Sequence, residues 1–257
     1  MTLFDPPSET ARLKMVVAYD GGDFHGFARQ RDQRTVAGEL TTALERMARV
    51  PIEITGAGRT DAGVHAWGQV VSCDVPVSLD PVRVRNALNK MLNPHIAVRS
   101  VEVVDADFNA RFSALWRAYR YTIVNRDVID PFRSRSAWHV EPPLDLHRLM
   151  LGADVFIGEH DFASFCRRGP EGSTTTRRVF DSRWVDEGDG VLRYEIRATA
   201  FCWQMVRSIV GTLVDVGLGR KKPGELRGIL AARDRAAAGQ VAPPQGLSLW
   251  EVGYALS

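Results

Sequence analysis

Residues 56–66 read Gly56-Ala57-Gly58-Arg59-Thr60-Asp61-Ala62-Gly63-Val64-His65-Ala66, between an extended run at 51–55 (Pro51-Ile52-Glu53-Ile54-Thr55) and a second at 67–73. Glycine tolerates positive φ and lets a ligand or another backbone come close, so three glycines between two extended runs read as a tight strand–loop–strand step. A plain hairpin turn has no use for an arginine, an aspartate and a histidine in the same loop. No Gly-Lys-Ser/Thr follows the glycines, so this is not a P-loop. The loop leads into extended sequence rather than opening a helix, so the dinucleotide fingerprint is not met either. Asp61 and His65 are two candidate metal ligands, too few for a site; no metal is expected.

Working outward gives the fold. Residues 13–19 alternate as a strand, and a loop with Gly21, Gly22 and Gly26 follows. Thr35 can cap a helix whose apolar residues Val36, Leu40, Ala43, Leu44 and Met47 keep helical spacing. After the strand–loop–strand step, Asp80-Pro81 starts a second helix, with Val84, Leu88 and either Met91 or Leu92 on its apolar face. Residues 96–104 form another strand. The order β-α-β-β-α-β is the ferredoxin-like arrangement. Beyond residue 107 the pattern resembles it with additions: strands at 118–124, 177–185, 191–199 and 249–254, and helices at 145–155, 203–216 and 223–232. The segment 167–176, rich in Gly, Ser and Thr, reads as a mobile surface loop. The expectation is an α/β (α+β) protein of two ferredoxin-like, RRM-like halves. They share an extended mixed, largely antiparallel sheet with helices on one face and an active-site cleft between them. Residues 1–12 form a flexible leader, 13–106 the N-terminal domain with the Asp61 loop, and 107–257 the C-terminal domain.

The 257 residues are 45% hydrophobic and 25% charged, an ordinary globular composition. No apolar run reaches the ~18 residues of a membrane span, and the polar start with Pro6-Pro7 lacks the basic and apolar regions of a signal peptide. Cys73, Cys166 and Cys202 are odd in number and form no C-x-x-C, which supports neither a zinc knuckle nor a disulfide framework. Cys73 and Cys202 lie in apolar sequence and read as small core residues; a reducing cytoplasm is expected. The net charge is only +2, yet all but four of the 33 basic residues are arginine. Arginine's planar fork suits phosphate and stacks on bases, although a GC-rich genome also favours it. Clusters at Arg117, Arg120, Arg126, Arg133 and Arg135, at Arg167-Arg168 and Arg177-Arg178, and at Arg220-Lys221-Lys222 could form a phosphate track.

Taken whole, GAGRTDAGVHAWGQV closely resembles the active-site motif of the tRNA pseudouridine synthase I (TruA) family. Further blocks resemble that family in the same order from about Leu13 onward: Tyr19-Asp20-Gly21-Gly22-Asp23-Phe24-His25-Gly26-Phe27, then Ala110-Arg111-Phe112-Ser113-Ala114 with Arg117-Ala118-Tyr119-Arg120-Tyr121. Gly158-Glu159-His160-Asp161-Phe162, Phe201 to Gly211, and Gly246-Leu247-Ser248-Leu249 complete the series. Phe27-Ala28 and Ala37 depart from the family's usual Trp-Gln and Gln, outside the catalytic segment.

The resemblance implies isomerisation of uridine to pseudouridine in the anticodon stem-loop of tRNA, at positions 38, 39 and 40, by a cytoplasmic homodimer. That reaction cuts the N1–ribose bond, turns the base and rejoins it through C5, so no cofactor or metal is required. It needs a carboxylate, a pocket for a flipped base and an acceptor for the C5 proton. Asp61 stands at the place of the essential aspartate; it could attack the ribose, attack the base or withdraw a proton. By residue type alone it could also be an Asx-turn stabiliser. Arg207 lies in an apolar helical stretch where an unpaired guanidinium is costly; the expected partner is Asp61, with snorkelling to solvent as the alternative. Tyr119 and Tyr121 share a strand face, and the resemblance makes Tyr119 the active-site tyrosine and Tyr121 packing. Leu247 is expected to wall the base; the resemblance has Arg59 hold the flipped-out nucleotide or fill the gap left in the stem, while by residue type alone it is a surface arginine. His65 is expected to stabilise the loop by a hydrogen bond. The alternative is a non-catalytic RNA-binding protein with two RRM-like modules, but the aromatic RNP signature is missing. A glycosidase-like hydrolase would need a second carboxylate that no comparable motif supplies.

Overall fold

The computed structural model describes residues 9–167, 169 and 172–255. They fall into two units, one of residues up to Leu115 together with those from Glu251 onward, the other Trp116–Trp250.

In the first unit, strand β1 (Thr10–Tyr19) leads to helix α1 (Val36–Ala48), strands β2 (Ile54–Gly56) and β3 (His65–Pro76), helix α2 (Pro81–Leu92) and strand β4 (Ile96–Val104). The strands lie in the order β4-β1-β3-β2, each pair antiparallel, which is the ferredoxin-like order. Alternation along β1 puts Leu13, Met15 and Val17 fully inside. The Thr35 hydroxyl accepts the Gly38 amide at 3.2 Å and Asp80 accepts the Arg83 amide at 2.9 Å, so both helices start on capping side chains. On α2, Leu92 is buried and Met91 exposed. The strand expected at 51–55 is confined to Ile54–Gly56; the Ile52 amide is taken at 3.2 Å by Glu45 of α1 instead of a neighbouring strand.

Residues 1–8 of the expected leader lie outside the described residues. Its end is not a leader: β1 begins at Thr10, with Arg12 opposite Asp74 in register and its guanidinium on that carboxylate at 2.6 and 2.8 Å.

The second unit contains strands β5 (Trp116–Val124) and β6 (Trp138–His139), helix α3 (Leu146–Asp154), strands β7 (Gly158–Asp161), β8 (Thr176–Asp186) and β9 (Val191–Ala198), helices α4 (Met205–Gly217) and α5 (Glu225–Ala232), and strand β10 (Leu247–Gly253), whose first four residues belong here. The order is β10-β5-β9-β8-β7, with β6 beside β5. Without β6 and β7 the sequence β5-α3-β8-β9-α4-β10 repeats the strand order of the first unit. The β5–β6 pair is parallel, which makes the sheet mixed. On the helix-covered face, Tyr121 lies opposite Tyr194 and both are fully buried. Ser182 ties that face to α3, donating to the Ala153 carbonyl at 2.8 Å and sharing a 2.7 Å bond with the Tyr194 phenol. Of the segment 167–176 expected to be mobile, Arg168, Pro170 and Glu171 lie outside the described residues, and strand β8 already begins at Thr176.

On the other face, Glu195 stands in register between Arg120 and Arg183. Its carboxylate meets Arg120 at 2.8 Å, Arg183 at 2.6 Å and Arg193 at 3.0 Å. Burial works to raise the Glu195 carboxyl; Arg183, Arg120 and Arg193 outweigh it and hold the group below its ordinary value. The Arg120 guanidinium also lies 3.8 Å over the Trp250 ring.

Candidate active site

The Asp61 loop is fixed by bonds at almost every residue. The Val64 amide donates to the Asp61 carbonyl at 3.1 Å, and Gly63 between them has φ +77°, so residues 61–64 make a turn of the type that requires positive φ at its third position. Upstream, Gln69 is fully buried and clamps Gly58 from both sides, donating to its carbonyl at 2.8 Å and accepting its amide at 3.3 Å. The Thr60 hydroxyl shares a 2.8 Å hydrogen bond with the Tyr19 phenol. Burial pushes that phenol up to about 12, opposed by its bonds to Thr60 and Gln69.

The other glycine-rich segment cradles this turn. Phe27 donates its amide to the Thr60 carbonyl at 3.1 Å, and Gly63 donates to the Phe24 carbonyl at 3.4 Å. A Cβ at Gly26 (φ +90°) would lie 2.8 Å from the Thr60 carbonyl oxygen, and one at Gly21 would overlap the Val64 carbonyl. His65 Nδ1 accepts the Gly21 amide at 3.0 Å. The same nitrogen lies 3.1 Å from the Asp20 carboxylate. His65 is the loop-stabilising hydrogen-bonder expected of it. Asp61 is half-buried at the head of the turn and Arg59 is exposed. Among the described residues, no group of three or more His, Cys, Asp or Glu could hold a metal ion.

Tyr119, Arg207 and Leu247 belong to the second unit. Tyr119 lies on β5 opposite Ile196 of β9, buried, with its ring edge-to-face on Phe201 at 4.9 Å. Tyr121, two residues on, is a packing residue: it is fully buried and its phenol donates to the Pro243 carbonyl at 2.8 Å. Burial drives that phenol strongly upward, against the pull of nearby Arg207. Arg207, half-buried in the first turn of α4, donates Nε to the Ala242 carbonyl at 2.7 Å, while the Ala242 amide donates back to the Arg207 carbonyl at 3.0 Å. Close approach is possible because Gly211, one turn on, has no Cβ to strike the Gln240 carbonyl. Gly246 packs flat on the Tyr121 ring, and Leu247 follows it, buried, at the start of β10. The segment 240–247 thus links the surroundings of Arg207, Tyr121 and Leu247.

Four arginines of the expected phosphate track have acidic partners instead of standing as bare charges: Arg120 with Glu195, Arg126 with Asp189, Arg133 with Asp130 and Arg220 with Asp215. The positioning residues Tyr19, Thr60, Gln69, Phe201 and Ala242 were not singled out from sequence. Tyr19 and Phe201 open two of the quoted motifs, and Thr60 and Gln69 lie within a third, which is the signal that could have found them.

The sequence pattern of the tRNA pseudouridine synthase family matches residues 15–113 and 153–255. The chain is 47% identical to tRNA pseudouridine synthase A of Brevibacillus brevis, over 95% of this chain and 99% of that one. It is 40% identical to tRNA pseudouridine synthase A of Bacillus subtilis, again over 95% and 99%, and 43% identical to that of Cutibacterium acnes, over 95% and 88%. The chain belongs to the tRNA pseudouridine synthase family. No helix among the described residues is long and apolar enough to cross a membrane.

Proposed function

We propose that this protein isomerises uridine to pseudouridine at positions 38, 39 and 40 in the anticodon stem-loop of tRNA, with Asp61 as the catalytic carboxylate. The observation that carries the reading is the Asp61 turn itself, in a chain of this family. Tyr19 holds the Thr60 hydroxyl, Gln69 the Gly58 backbone, Phe27 the Thr60 carbonyl and Phe24 the Gly63 amide, His65 ties the loop to Gly21, and Asp61 stands at the head of the turn. Preorganisation of that kind fixes a reacting group without cost at the moment of reaction.

The reaction breaks N1–C1′, rotates the base, forms C5–C1′, and moves the C5 proton to an acceptor while N1 gains one. It is redox-neutral and requires no cofactor. Asp61 assists cleavage at the ribose or base, and Arg207 is a second catalytic residue. Tyr119 stacks on the uracil and serves the C5 proton transfer. Leu247 forms an apolar wall for the base, and Arg59 holds the flipped-out nucleotide. The acting form is a cytoplasmic homodimer gripping one tRNA.

The test compares wild type with Asp61→Ala on unmodified tRNAs carrying uridine at those positions, mapping pseudouridine by carbodiimide and primer extension. Pseudouridine with wild type only, at equal RNA binding, is the expected result. Tight RNA binding without isomerisation on any substrate would replace this reading with that of a non-catalytic RNA-binding protein.

A further inference from the structure

Cys166 and Cys202 come from separate segments of the second unit, and the fold sets them against each other. Cys166 ends the 3-10 turn Ala163–Phe165, donating its amide to the Ala163 carbonyl at 3.3 Å; Cys202 lies just before α4. The segments are joined through the backbone one residue further along each, where the Arg167 amide donates to the Trp203 carbonyl at 2.9 Å. The two side chains are within hydrogen-bonding reach of each other, and Cys202 Sγ also donates to the Thr175 carbonyl at 3.8 Å. Cys166 is buried, whereas Cys202 is partly open to solvent. The reading of Cys202 as a plain core residue is thereby corrected. Cys73 is buried in the first unit.

We propose that Cys166 and Cys202 form a reversible dithiol–disulfide couple, closed by exchange with low-molecular-weight disulfides, and that closing it disturbs the packing of Phe201 on Tyr119. Cys202 is the thiol that reacts first. It is the more open of the two, and the hydrogen bond from Cys166, with Arg177 nearby, favours its thiolate. The same hydrogen bond, together with burial, holds Cys166 as the protonated partner. The Cys202 thiolate attacks one sulfur of the small disulfide, breaking its S–S bond and expelling one thiolate. Cys166 then gives its proton to solvent and attacks Cys202 Sγ, expelling the second thiolate. The two protein thiols lose two electrons and two protons, and the small disulfide becomes two thiols. A transient bond of this kind is the form a disulfide takes in a reducing compartment.

A disulfide holds two sulfurs at about 2 Å with a fixed dihedral, so closing it constrains the chain at 165–167 and 201–203. Phe201 adjoins Cys202, and its ring edge lies against Tyr119 at 4.9 Å. The effect on turnover rests on the reading of Tyr119 given above; a displacement of ~1 Å at a reacting group costs up to about 100-fold.

The experiment equilibrates the full chain in oxidised and reduced glutathione buffers, quenches with acid, alkylates and maps the peptides by mass spectrometry. Pseudouridine formation is assayed on the same samples. Expected is a Cys166–Cys202 cross-linked peptide two hydrogens lighter with Cys73 alkylated, and turnover lowered about 10–100-fold and restored by dithiothreitol. Cys202→Ser should keep full activity in both buffers, and Cys166→Ser, which lacks the resolving thiol, should keep full activity in the reduced buffer and stop at the Cys202–glutathione mixed disulfide in the oxidised one. A folded wild type that never cross-links would overturn the couple. A cross-link without change in turnover would overturn its link to Tyr119, and a loss that persists in both serine variants would place the effect elsewhere. If reduced wild type makes no pseudouridine, the functional reading fails, while the peptide map still decides the couple.

Discussion

The Tyr19 phenol and the Thr60 hydroxyl share a 2.8 Å hydrogen bond inside the first unit, so the residue before Asp61 is pinned to strand β1. Tyr19→Phe leaves the ring packing but strands a buried hydroxyl. The expected cost is about 1–2 kcal/mol, read from urea unfolding. Because the loosened residue adjoins Asp61, single-turnover rates should fall while KM for tRNA stays near wild type.

The same phenol sets an alkaline limit. Its ionisation lies at about 12 in the folded chain, and burial raises Tyr194 and Tyr121 as well, against about 10 for an unfolded tyrosine. A raised acid constant means the unfolded chain loses these protons first. Their contribution to stability is complete below pH ~10 and is lost as pH rises through the folded values. Urea midpoints should fall steeply from about pH 10 to 12, and the slope should be shallower in Tyr19→Phe.

Gly26 combines φ +90° with contact on the Thr60 carbonyl. Gly26→Ala should cost at least about 1–3 kcal/mol and should lower turnover beyond that loss, since relief can come only by moving the backbone next to Asp61. Thermal melts beside initial rates at saturating tRNA would check this; unchanged rates would show that the cradle does not position the turn.

Glu195 should shape the acid side. Its carboxyl is held below its ordinary value, so its contribution is present above about pH 4.5 and lost as pH falls through the folded value. Glu195→Gln should be less stable at neutral pH by about 1–3 kcal/mol, a figure reduced because Arg183 is well exposed. It should also show a flatter stability profile from pH 5 down to pH 3, roughly.

Tyr119→Phe and Tyr121→Phe should separate chemistry from packing. The first keeps the ring against Phe201 and should slow turnover with little change in melting. The second leaves the Pro243 carbonyl without its 2.8 Å donor; it should cost about 1–3 kcal/mol and affect turnover less. The reverse pattern would exchange the roles of the two tyrosines.

Much of this was legible in the sequence where one residue decides a local outcome. Thr35 and Asp80 announced two helix starts, and each accepts the amide three residues on. Alternation announced β1, β5 and β9, although β5 starts earlier than expected, at Trp116, and β10 starts at Leu247 rather than 249. Helix α4 begins at Met205 instead of 203 because Gln204 takes φ +62°. The two-residue β6 has no periodicity to read, and β7 exists because 158–161 pair with 176–179 across a loop. In the candidate site, the motifs pointed to Asp61, Tyr119, Arg207, Leu247 and Arg59. The supports around them depend on contacts distant in sequence, such as Arg207 with Ala242 and Tyr121 with Pro243, and no spacing rule encodes those.

Residues 251–254 finish the first unit after the whole second unit has been laid down in the chain. Tyr254 donates its phenol to the Ala110 carbonyl at 2.8 Å and sets its ring 4.9 Å from Phe108, and the Leu115 amide donates to the Gly253 carbonyl at 2.9 Å. On the ribosome, the part of the chain that bears Asp61 therefore emerges early and stays unfinished, with Phe108 uncovered, until translation has passed Tyr254. Such late closure is slow and exposes a nascent chain to aggregation. It also makes the Asp61 unit depend on synthesis running to its end, so a prematurely stopped product would carry the aspartate without the fold that completes its surroundings.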